Sequence, residues 1–182
     1  MKTIRKITSV LVVGVLAIGN LAHADEIHDA AKAGDTDKVK ALLQAKPELL
    51  NARDKNGRTP LNMAAIEGRK EVVKLLLDRG ADINLGGNSG STPLIWSAFN
   101  GHKEVAQLLL DHKADVNRKE DSGSTALHAA AYNGHLNILK ALVANKADLG
   151  IKDNDGKTAL KVAVGRGHKE TADFLRAQGA KE

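Results

Sequence analysis

Apolar residues recur at helical spacing through most of the chain, in short runs separated by polar turns. The apolar residues Val72, Val73, Leu75, Leu76 and Leu77 fall at helical spacing, which predicts an outer helix. A shorter inner helix is expected before it, from Pro60 to near Gly68. Sequences such as DKNG, NSG and DSG separate the pairs and are typical of turns. The pattern therefore predicts pairs of helices joined by turns, an all-α fold.

Each short helix begins at a threonine and stops at a glycine. Thr59 and Thr92 can accept a hydrogen bond from a backbone N–H group of the first turn. The proline after each of them occupies the first helical position, where a missing N–H does no harm. The short helices are expected to end near Gly68 and Gly101.

The helix pairs repeat with a period of 33 residues. The stretches RTPLNMAAIEGR (58–69), STPLIWSAFNGH (91–102), STALHAAAYNGH (124–135) and KTALKVAVGRGH (157–168) align without a gap. A fixed period of this length is the signature of a repeat array. Because no single unit can bury its apolar face alone, the units are expected to stack into a solenoid.

Five units account for residues 25–182, with approximate bounds 25–53, 54–86, 87–119, 120–152 and 153–182. The terminal units are degenerate, since Lys38 and Thr171 stand where Val72 stands in the second unit. Terminal units of an array need a polar outer face. We therefore expect an all-α solenoid of about five helix-turn-helix units with capping end repeats, complete within this range and without a second domain.

The recurring motifs T-P-L, A-A, G-H, L-L-L and G-A-D-I-N resemble the ankyrin repeat. The resemblance covers essentially all of residues 25–182 and implies binding of another protein through the concave face and the turn tips. The chain departs from the family where Gly80 closes the first full outer helix, because Lys113 and Lys146 stand at the equivalent positions. If that position is left-handed, each lysine costs roughly 1–2 kcal/mol.

The resemblance also indicates which residues contact a partner, namely the turn tips and the two residues before the glycine of G-H. In this chain the candidate binding residues are Arg58, Ile66, Asn88, Phe99, Asn100, Tyr132 and Asn133. Phe99 and Tyr132 occupy one position in consecutive units and are expected to form the centre of the site, with Arg58, Asn88 and Asn133 as its polar rim. The alternative is that each aromatic ring folds back over its own repeat.

Two further residues bear on this face. Trp96 is expected to be half buried and to support Phe99. The recurring His102, His135 and His168 are implied by the resemblance to hydrogen-bond between neighbouring loops, and His128 stands at the usual histidine position of the family. His28 is interpreted as a single surface residue.

The sequence offers no candidate for catalysis. The chain has no Cys, and it contains no G-x-S-x-G, no H-E-x-x-H and no phosphate-binding glycine loop. We expect no catalytic residue, no metal site and no cofactor. The rival interpretation, an enzyme using the concave face, would require histidines or carboxylates with shifted pKa values clustered in one cleft.

The first 24 residues differ from the rest. Lys2, Arg5 and Lys6 precede an apolar run over residues 10–18, and AHA ends the segment at Ala24. This order is typical of a secretory signal peptide, and the apolar run is shorter than the roughly 20 residues that span a bilayer. We expect residues 1–24 to be removed and the mature protein to be periplasmic in a bacterium, outside the membrane, and a monomer.

Removal of residues 1–24 lowers the net positive charge of the chain. Three of the 27 Lys and Arg residues lie in residues 1–24, which leaves 24 basic against 22 acidic residues, or +2. Acids and bases alternate along the repeats, so the sequence has no nucleic-acid footprint. The expected function is non-enzymatic protein binding. Small exported ankyrin proteins resemble two systems, a support protein for an oxidative-stress enzyme such as a catalase and an immunity protein against a toxic enzyme, and the sequence leaves both open.

Overall fold

The computed structural model describes residues 25–181. Residues 1–24, where the signal peptide is expected, lie outside the described part. Within it the chain is helical and contains no strand beyond one isolated bridge between Lys152 and Thr158. The fold is the all-α repeat solenoid that the sequence predicts.

The helices run in pairs, an inner helix followed by an outer one. The first pair is α1 (residues 25–33) and α2 (Thr36–Ala45), followed by a 3-10 turn at Pro47–Asn51. The next pairs are α3 (Pro60–Ile66) with α4 (Lys70–Asp78), α5 (Pro93–Asn100) with α6 (Lys103–Asp111), α7 (Ala126–Asn133) with α8 (Leu136–Ala144), and α9 (Ala159–Gly165) with α10 (Lys169–Ala177).

The inner helices begin as expected. The hydroxyl of Thr59 accepts from the Asn62 backbone N–H at 3.2 Å, and Thr92 does the same for Ile95 at 3.3 Å. At their ends, Gly101 and Gly134 take φ values of 80° and 70°. Only glycine adopts that left-handed conformation without strain, so the glycine of G-H ends the inner helix.

One apolar core runs the length of the array, from Ile27 in α1 to Leu175 in α10. Inner helices pack on inner helices, and outer helices on outer helices, between successive pairs. Val72, Val73 and Leu76 of α4 are fully buried, and burying each such side chain contributes about 1.5–3 kcal/mol. Because each pair faces its neighbours, most of this burial depends on stacking.

The outer loops are tied together by a second periodic feature. The side-chain oxygens of Asn51, Asn84 and Asn117 each accept the backbone N–H of an aspartate in the next unit, at 3.0, 2.8 and 2.9 Å. One amide per unit thus satisfies a loop N–H group that no helix pairs. The loops therefore follow the stacking of the helices.

The end units differ from the sequence expectation at one position. Lys38 is exposed and forms an ion pair with Glu26 at 3.0 Å, in keeping with a polar outer face. Thr171, in contrast, is buried, with 2% of its surface exposed. Placing Thr171 on the polar face was wrong, because α10 turns this position towards the core against α9 and α8.

The loops that close the outer helices are left-handed in every unit where this was expected. Gly80 has a φ of 83°, and Lys113 and Lys146 both have a φ of 65°. The two lysines are the positive-φ residues other than glycine among residues 25–181. The prediction that lysine stands in a glycine conformation is confirmed.

Candidate functional site

The concave face contains a groove of about 860 Å³ over the third, fourth and fifth units. Helices α5, α7 and α9 form its floor, and the turn tips form one wall. Its apolar lining comes from Trp96, Phe99, Tyr132 and Val162. An apolar, concave surface of this size can hold a segment of another molecule.

Phe99 and Tyr132 form the centre of this groove. Their ring centroids lie 6.0 Å apart with an angle of 24° between the rings, a stacked arrangement. Both are exposed, at 41% and 39%. The two rings thus form a continuous apolar surface across two units, and the alternative in which each folds back over its own repeat is not what the structure contains. That a partner contacts them stays a prediction.

Arg166 extends the same surface into the fifth unit. Its guanidinium carbon lies 3.7 Å from the centroid of the Tyr132 ring, within the range of a cation–π interaction. Arg166 is exposed and lines the groove. The order across three units is therefore Phe99, Tyr132 and Arg166, each stacked on the one before.

The three recurring histidines make the contacts that the family resemblance implied. The Nε2 atoms of His102, His135 and His168 lie 2.8, 3.1 and 2.9 Å from the carbonyl oxygens of Ile66, Phe99 and Tyr132, respectively. Each imidazole lies against the glycine of the preceding unit. A Cβ atom on Gly134 would lie 2.6 Å from Nδ1 of His168, so these glycines are needed for space as well as for their backbone conformation.

Asn100 and Asn133 are held by the same carbonyl groups. The side-chain amide of Asn100 donates to the Ile66 carbonyl at 3.1 Å, and that of Asn133 donates to the Phe99 carbonyl at 2.8 Å. Each carbonyl thus accepts from an asparagine and a histidine of the following unit. The sequence interpretation placed both asparagines among the partner contacts, but their donors already serve to join repeats.

The candidate tip residues are also bound within the array. Arg58 forms an ion pair with Asp54 at 2.8 Å. Burial raises the pKa of Asp54, but the Arg58 side chain and the backbone N–H groups of Arg58 and Asn56 outweigh it, so the pKa is lowered. Asn88 is exposed, and its backbone N–H donates to the Asn56 carbonyl at 2.8 Å. Arg58 therefore stabilises its own turn. The Asn88 side chain lies against Gly57 of the preceding unit, where an added Cβ atom would be 2.1 Å from its Oδ1.

Two other expectations concern the floor of the groove. Ile66 is partly buried and packs on the core. Trp96 is half buried, as expected, but the stacking partner of Phe99 is Tyr132. The indole N–H of Trp96 is buried without an acceptor, which is true of no other buried side-chain polar atom in the described part. An unsatisfied buried donor costs roughly 1–3 kcal/mol.

Sequence reasoning missed His28. Only 4% of it is exposed, and its Nε2 atom lies 3.1 Å from the Ala52 carbonyl and 2.8 Å from the Arg58 carbonyl. Describing it as a surface residue was wrong. His28 occupies in the first unit the position of His128, and the one-residue insertion in that unit hides the match unless the alignment allows a period of 34.

His128 joins its own unit to the next. Its Nδ1 atom lies 2.9 Å from the Thr125 hydroxyl, and its Nε2 atom lies 3.1 Å from the Lys157 carbonyl. Burial lowers the pKa of His128 more than the nearby hydrogen bonds and Asp153 raise it. The neutral form is therefore the one that fits, which suits a structural role.

Within residues 25–181, no three His, Asp or Glu side chains are placed to hold a metal ion. None of the helices in this range has both the length and the hydropathy that a bilayer span requires. The carboxylates beside the groove accept hydrogen bonds from serine hydroxyls, from backbone N–H groups or from the lysine ammonium.

Comparison with known proteins gives the family. Residues 27–120, more than half of the chain, match the profile described as Ankyrin repeats (3 copies), and residues 109–163 match Ankyrin repeats (many copies). The chain is 46% identical over 54 residues to the Serine/threonine-protein kinase VIK of Arabidopsis thaliana. It is 39% identical over 70 residues to the Probable E3 ubiquitin-protein ligase XBOS32 of Oryza sativa subsp. japonica.

These two similarities concern the repeats alone. They cover 30% and 38% of this chain, but only 12% and 14% of the two plant proteins, so the kinase and ligase activities in their names belong to those proteins. Helix pairs, left-handed glycines and inter-repeat histidines all agree with the profile match. The chain belongs to the ankyrin repeat family, and its repeats form a protein-interaction module.

Proposed function

We propose that the protein binds a partner protein, without catalysing a reaction, through the groove centred on Phe99 and Tyr132. The observation that carries the proposal is the exposed stack of these two rings. Ile66 and Gly165 occupy the same position in the neighbouring units, so the repeat itself does not require an aromatic residue there.

The physical chemistry of interfaces supports the choice of these residues. Exposed aromatic side chains in a concave surface lose water on binding and dominate the affinity of many complexes. They also lose little conformational entropy because each has only two side-chain torsions. The rest of the candidate set plays a smaller part, since Arg58, Asn100 and Asn133 already bond within the array.

The compartment is the second part of the proposal. The pattern in residues 1–24 supports export and cleavage after Ala24, which would place the mature protein in a bacterial periplasm. There it would support or regulate another protein, for example an oxidative-stress enzyme such as a catalase. The plant relatives share only repeats and carry no argument about compartment.

The binding proposal is tested by capture from a periplasmic extract, followed by mass spectrometry. The variant Phe99→Ala, Tyr132→Ala is expected to lose the partner, because truncating a hot spot costs roughly 2 kcal/mol or more of binding free energy. The control is Val164→Ala, since Val164 is 45% exposed and does not line the groove. Full capture by the double variant would overturn the assignment. A captured toxic enzyme would indicate the immunity role.

Melting curves show whether any loss of capture comes from unfolding. The stacked pair adds about 1 kcal/mol to folding beyond its buried area, which corresponds to roughly 2–4 °C in a chain of this size. Trp96→Ala is expected to lower the melting temperature further, since its ring is half buried in the floor of the groove. If the double variant melts at a much lower temperature than Trp96→Ala, the assignment is reversed: Phe99 and Tyr132 serve packing and Trp96 does not.

The export proposal has its own test. N-terminal sequencing of the protein from its producing cells is expected to begin at Asp25. A chain that begins at Met1 and stays with the membrane would contradict export by a cleaved signal, and it would leave the binding groove untouched.

A further inference from the structure

The carboxylates that line the groove are all engaged within the array. Glu120 accepts from the hydroxyl groups of Ser91 and Ser122. Asp153 accepts backbone N–H groups of its own turn, from Asp155 at 3.0 Å and from Lys157 at 2.8 Å. The Asp155 carboxylate is paired with the Lys157 ammonium at 3.1 Å. These bonds hold the acids in place at the turn tips, where Glu120 and Asp153 keep their negative charge and Asp155 is paired with a cation.

Two cations in the same groove have no such partner. Lys161 and Arg166 both line the groove and are exposed. Within residues 25–181 neither forms an ion pair. Unpaired positive charge is therefore available at the α9 end of the groove, where Arg166 lies on the Tyr132 ring, while the acids belong to the turn tips.

Arg166 owes its availability to its place in the repeat. It stands at the position of Asn100 and Asn133, whose amides donate to the carbonyl groups of the preceding unit. The guanidinium instead lies on the face of Tyr132. A guanidinium stacked by its flat face keeps the N–H donors along its edge free, and these fit the two oxygens of a carboxylate.

We propose that the groove recognises an acidic segment of the partner, in which an aromatic or aliphatic side chain lies close to a carboxylate. The apolar side chain packs on Phe99 and Tyr132, and the carboxylate binds the edge of Arg166, with Lys161 adding positive charge. This inference rests on the proposed function and adds the chemistry of the partner. Charge complementarity at the α9 end is its basis, since Lys161 and Arg166 are exposed there and form no ion pair within residues 25–181.

A nucleic acid would also bring rings and negative charge, but the groove disfavours it. Glu120, Asp153 and Asp155 belong to the turn tips that line the groove, and a phosphate backbone in the groove would pass close to them. The negative charges of the turn-tip carboxylates would repel the phosphates. A single carboxylate bound at Arg166 does not have to pass these acids, whereas a continuous chain of phosphates does.

The first test is selection of short random peptides on the immobilised mature chain, with counter-selection on Phe99→Ala, Tyr132→Ala. The expected peptides combine an aromatic or aliphatic residue with Asp or Glu a few positions away. Enrichment of apolar or basic peptides without acids would overturn the acidic-segment proposal and leave the proposed function standing. Peptides that bind the double variant equally well would contradict the proposed function itself.

The second test measures the affinity of a selected peptide by calorimetry and by the fluorescence of Trp96, the sole tryptophan of the chain. Arg166→Gln is expected to weaken binding about tenfold, since a hydrogen bond to a charged group contributes about that factor. Arg166→Lys should bind more tightly than Arg166→Gln but less tightly than the parent. The control Arg79→Gln, which removes an exposed cation at the end of α4, should leave the affinity unchanged. Equal affinity for Arg166→Gln and the parent, or tighter binding of an oligothymidine than of the peptide, would overturn the proposal.

Discussion

Two positions near the end of each inner helix lie three residues apart in sequence, and they differ in how far the residue varies and in what its side chain contacts. His102, His135 and His168 occupy one position in the third to fifth units, and each makes one hydrogen bond to a carbonyl group of the unit before it. In the second unit Arg69 stands at this position and makes the same kind of bond, from its Nε atom to the Lys32 carbonyl at 2.9 Å. The position three residues earlier holds Ile66, Phe99, Tyr132 and Gly165 in turn. Its side chains are exposed in the third and fourth units, where Phe99 stacks on Tyr132 and Tyr132 also carries the Arg166 guanidinium.

The difference shows how to separate structural from functional residues in a repeat array. Where every unit presents the same neighbour at the same distance, one residue type is optimal and recurs. Where a side chain faces solvent, stacking sets no requirement and the residue varies. Asn100 and Asn133 follow the first rule in the third and fourth units, where their amides bridge units, whereas Glu67 and Arg166 stand at this position in the second and fifth. The repetition itself was the signal that the sequence interpretation did not use for them.

The largest expected effect concerns the constant position next to the histidines. Gly134→Ala is expected to lower the free energy of unfolding by about 2–3 kcal/mol, because a left-handed Ala costs roughly 1–2 kcal/mol and the displaced His168 bond about 1 kcal/mol. The matched control is Gly167→Ala, with a φ of 77° and nothing within 4 Å of the added Cβ atom. Denaturant titration of both variants measures the difference. Equal losses would show that the histidine contact contributes nothing.

The next effect tests whether asparagine belongs with the constant set. Asn133→Ala is expected to lower the free energy of unfolding by about 1 kcal/mol, since the amide bond to the Phe99 carbonyl is lost. Asn137→Ala, an exposed asparagine of α8, should change it by less than about 0.5 kcal/mol. Thermal melts of the two variants decide the matter. A stable Asn133→Ala protein that binds its partner poorly would return Asn133 to the variable, partner-contacting set.

A smaller effect on stability, of opposite sign, is expected where lysine replaces the left-handed glycine that closes the outer helix. Lys113→Gly is expected to raise the free energy of unfolding by about 0.5–1 kcal/mol, because glycine adopts the φ of 65° without strain but gains freedom when unfolded. Gly80→Lys makes the reverse change at the equivalent position, where a Cβ atom meets nothing within 4 Å. It should destabilise by a similar amount. Two changes of the same sign would mean that the side chain, not the backbone, decides.

The smallest effect is on pH dependence. Burial lowers the pKa of His128 in the folded protein below its unfolded value of 6.5. As the pH falls below about 6.5 the unfolded chain binds a proton that the folded chain does not, so stability is full at higher pH and decreases in acid. His128→Asn should flatten this slope, since Asn62 serves the equivalent role in the second unit, with its amide donating to the Leu85 carbonyl at 3.1 Å.

Denaturant midpoints across the acid range measure this slope. His112→Asn, at an exposed position, is expected to retain it because His128 is still present. An undiminished acid slope in His128→Asn would show that another group is responsible.

The sequence by itself determined the architecture, because stacking imposes the same local requirements on each unit. The 33-residue period, the threonine caps and the glycines that end the inner helices follow from the residues themselves, and the inter-repeat hydrogen bonds of the histidines were implied by the resemblance to the ankyrin repeat. Lys113 and Lys146 were recognised as strained for the same reason, since Gly80 shows what the position requires. His28 was misread because the one-residue insertion in the first unit disturbs the period. Thr171 was misread although the period is intact there, since its equivalent Val72 is fully buried.

Tertiary structure alone decided how the groove is charged and which polar groups are still available. Arg58 and Glu120 look like free charges in the sequence, but their partners are close only after the turns fold. Arg166 stands at the position of Asn100 and Asn133, but its guanidinium lies on the Tyr132 ring because neighbouring inner helices bring the two side chains together. Such pairings depend on side-chain reach across units, which a periodic pattern of residue types does not contain.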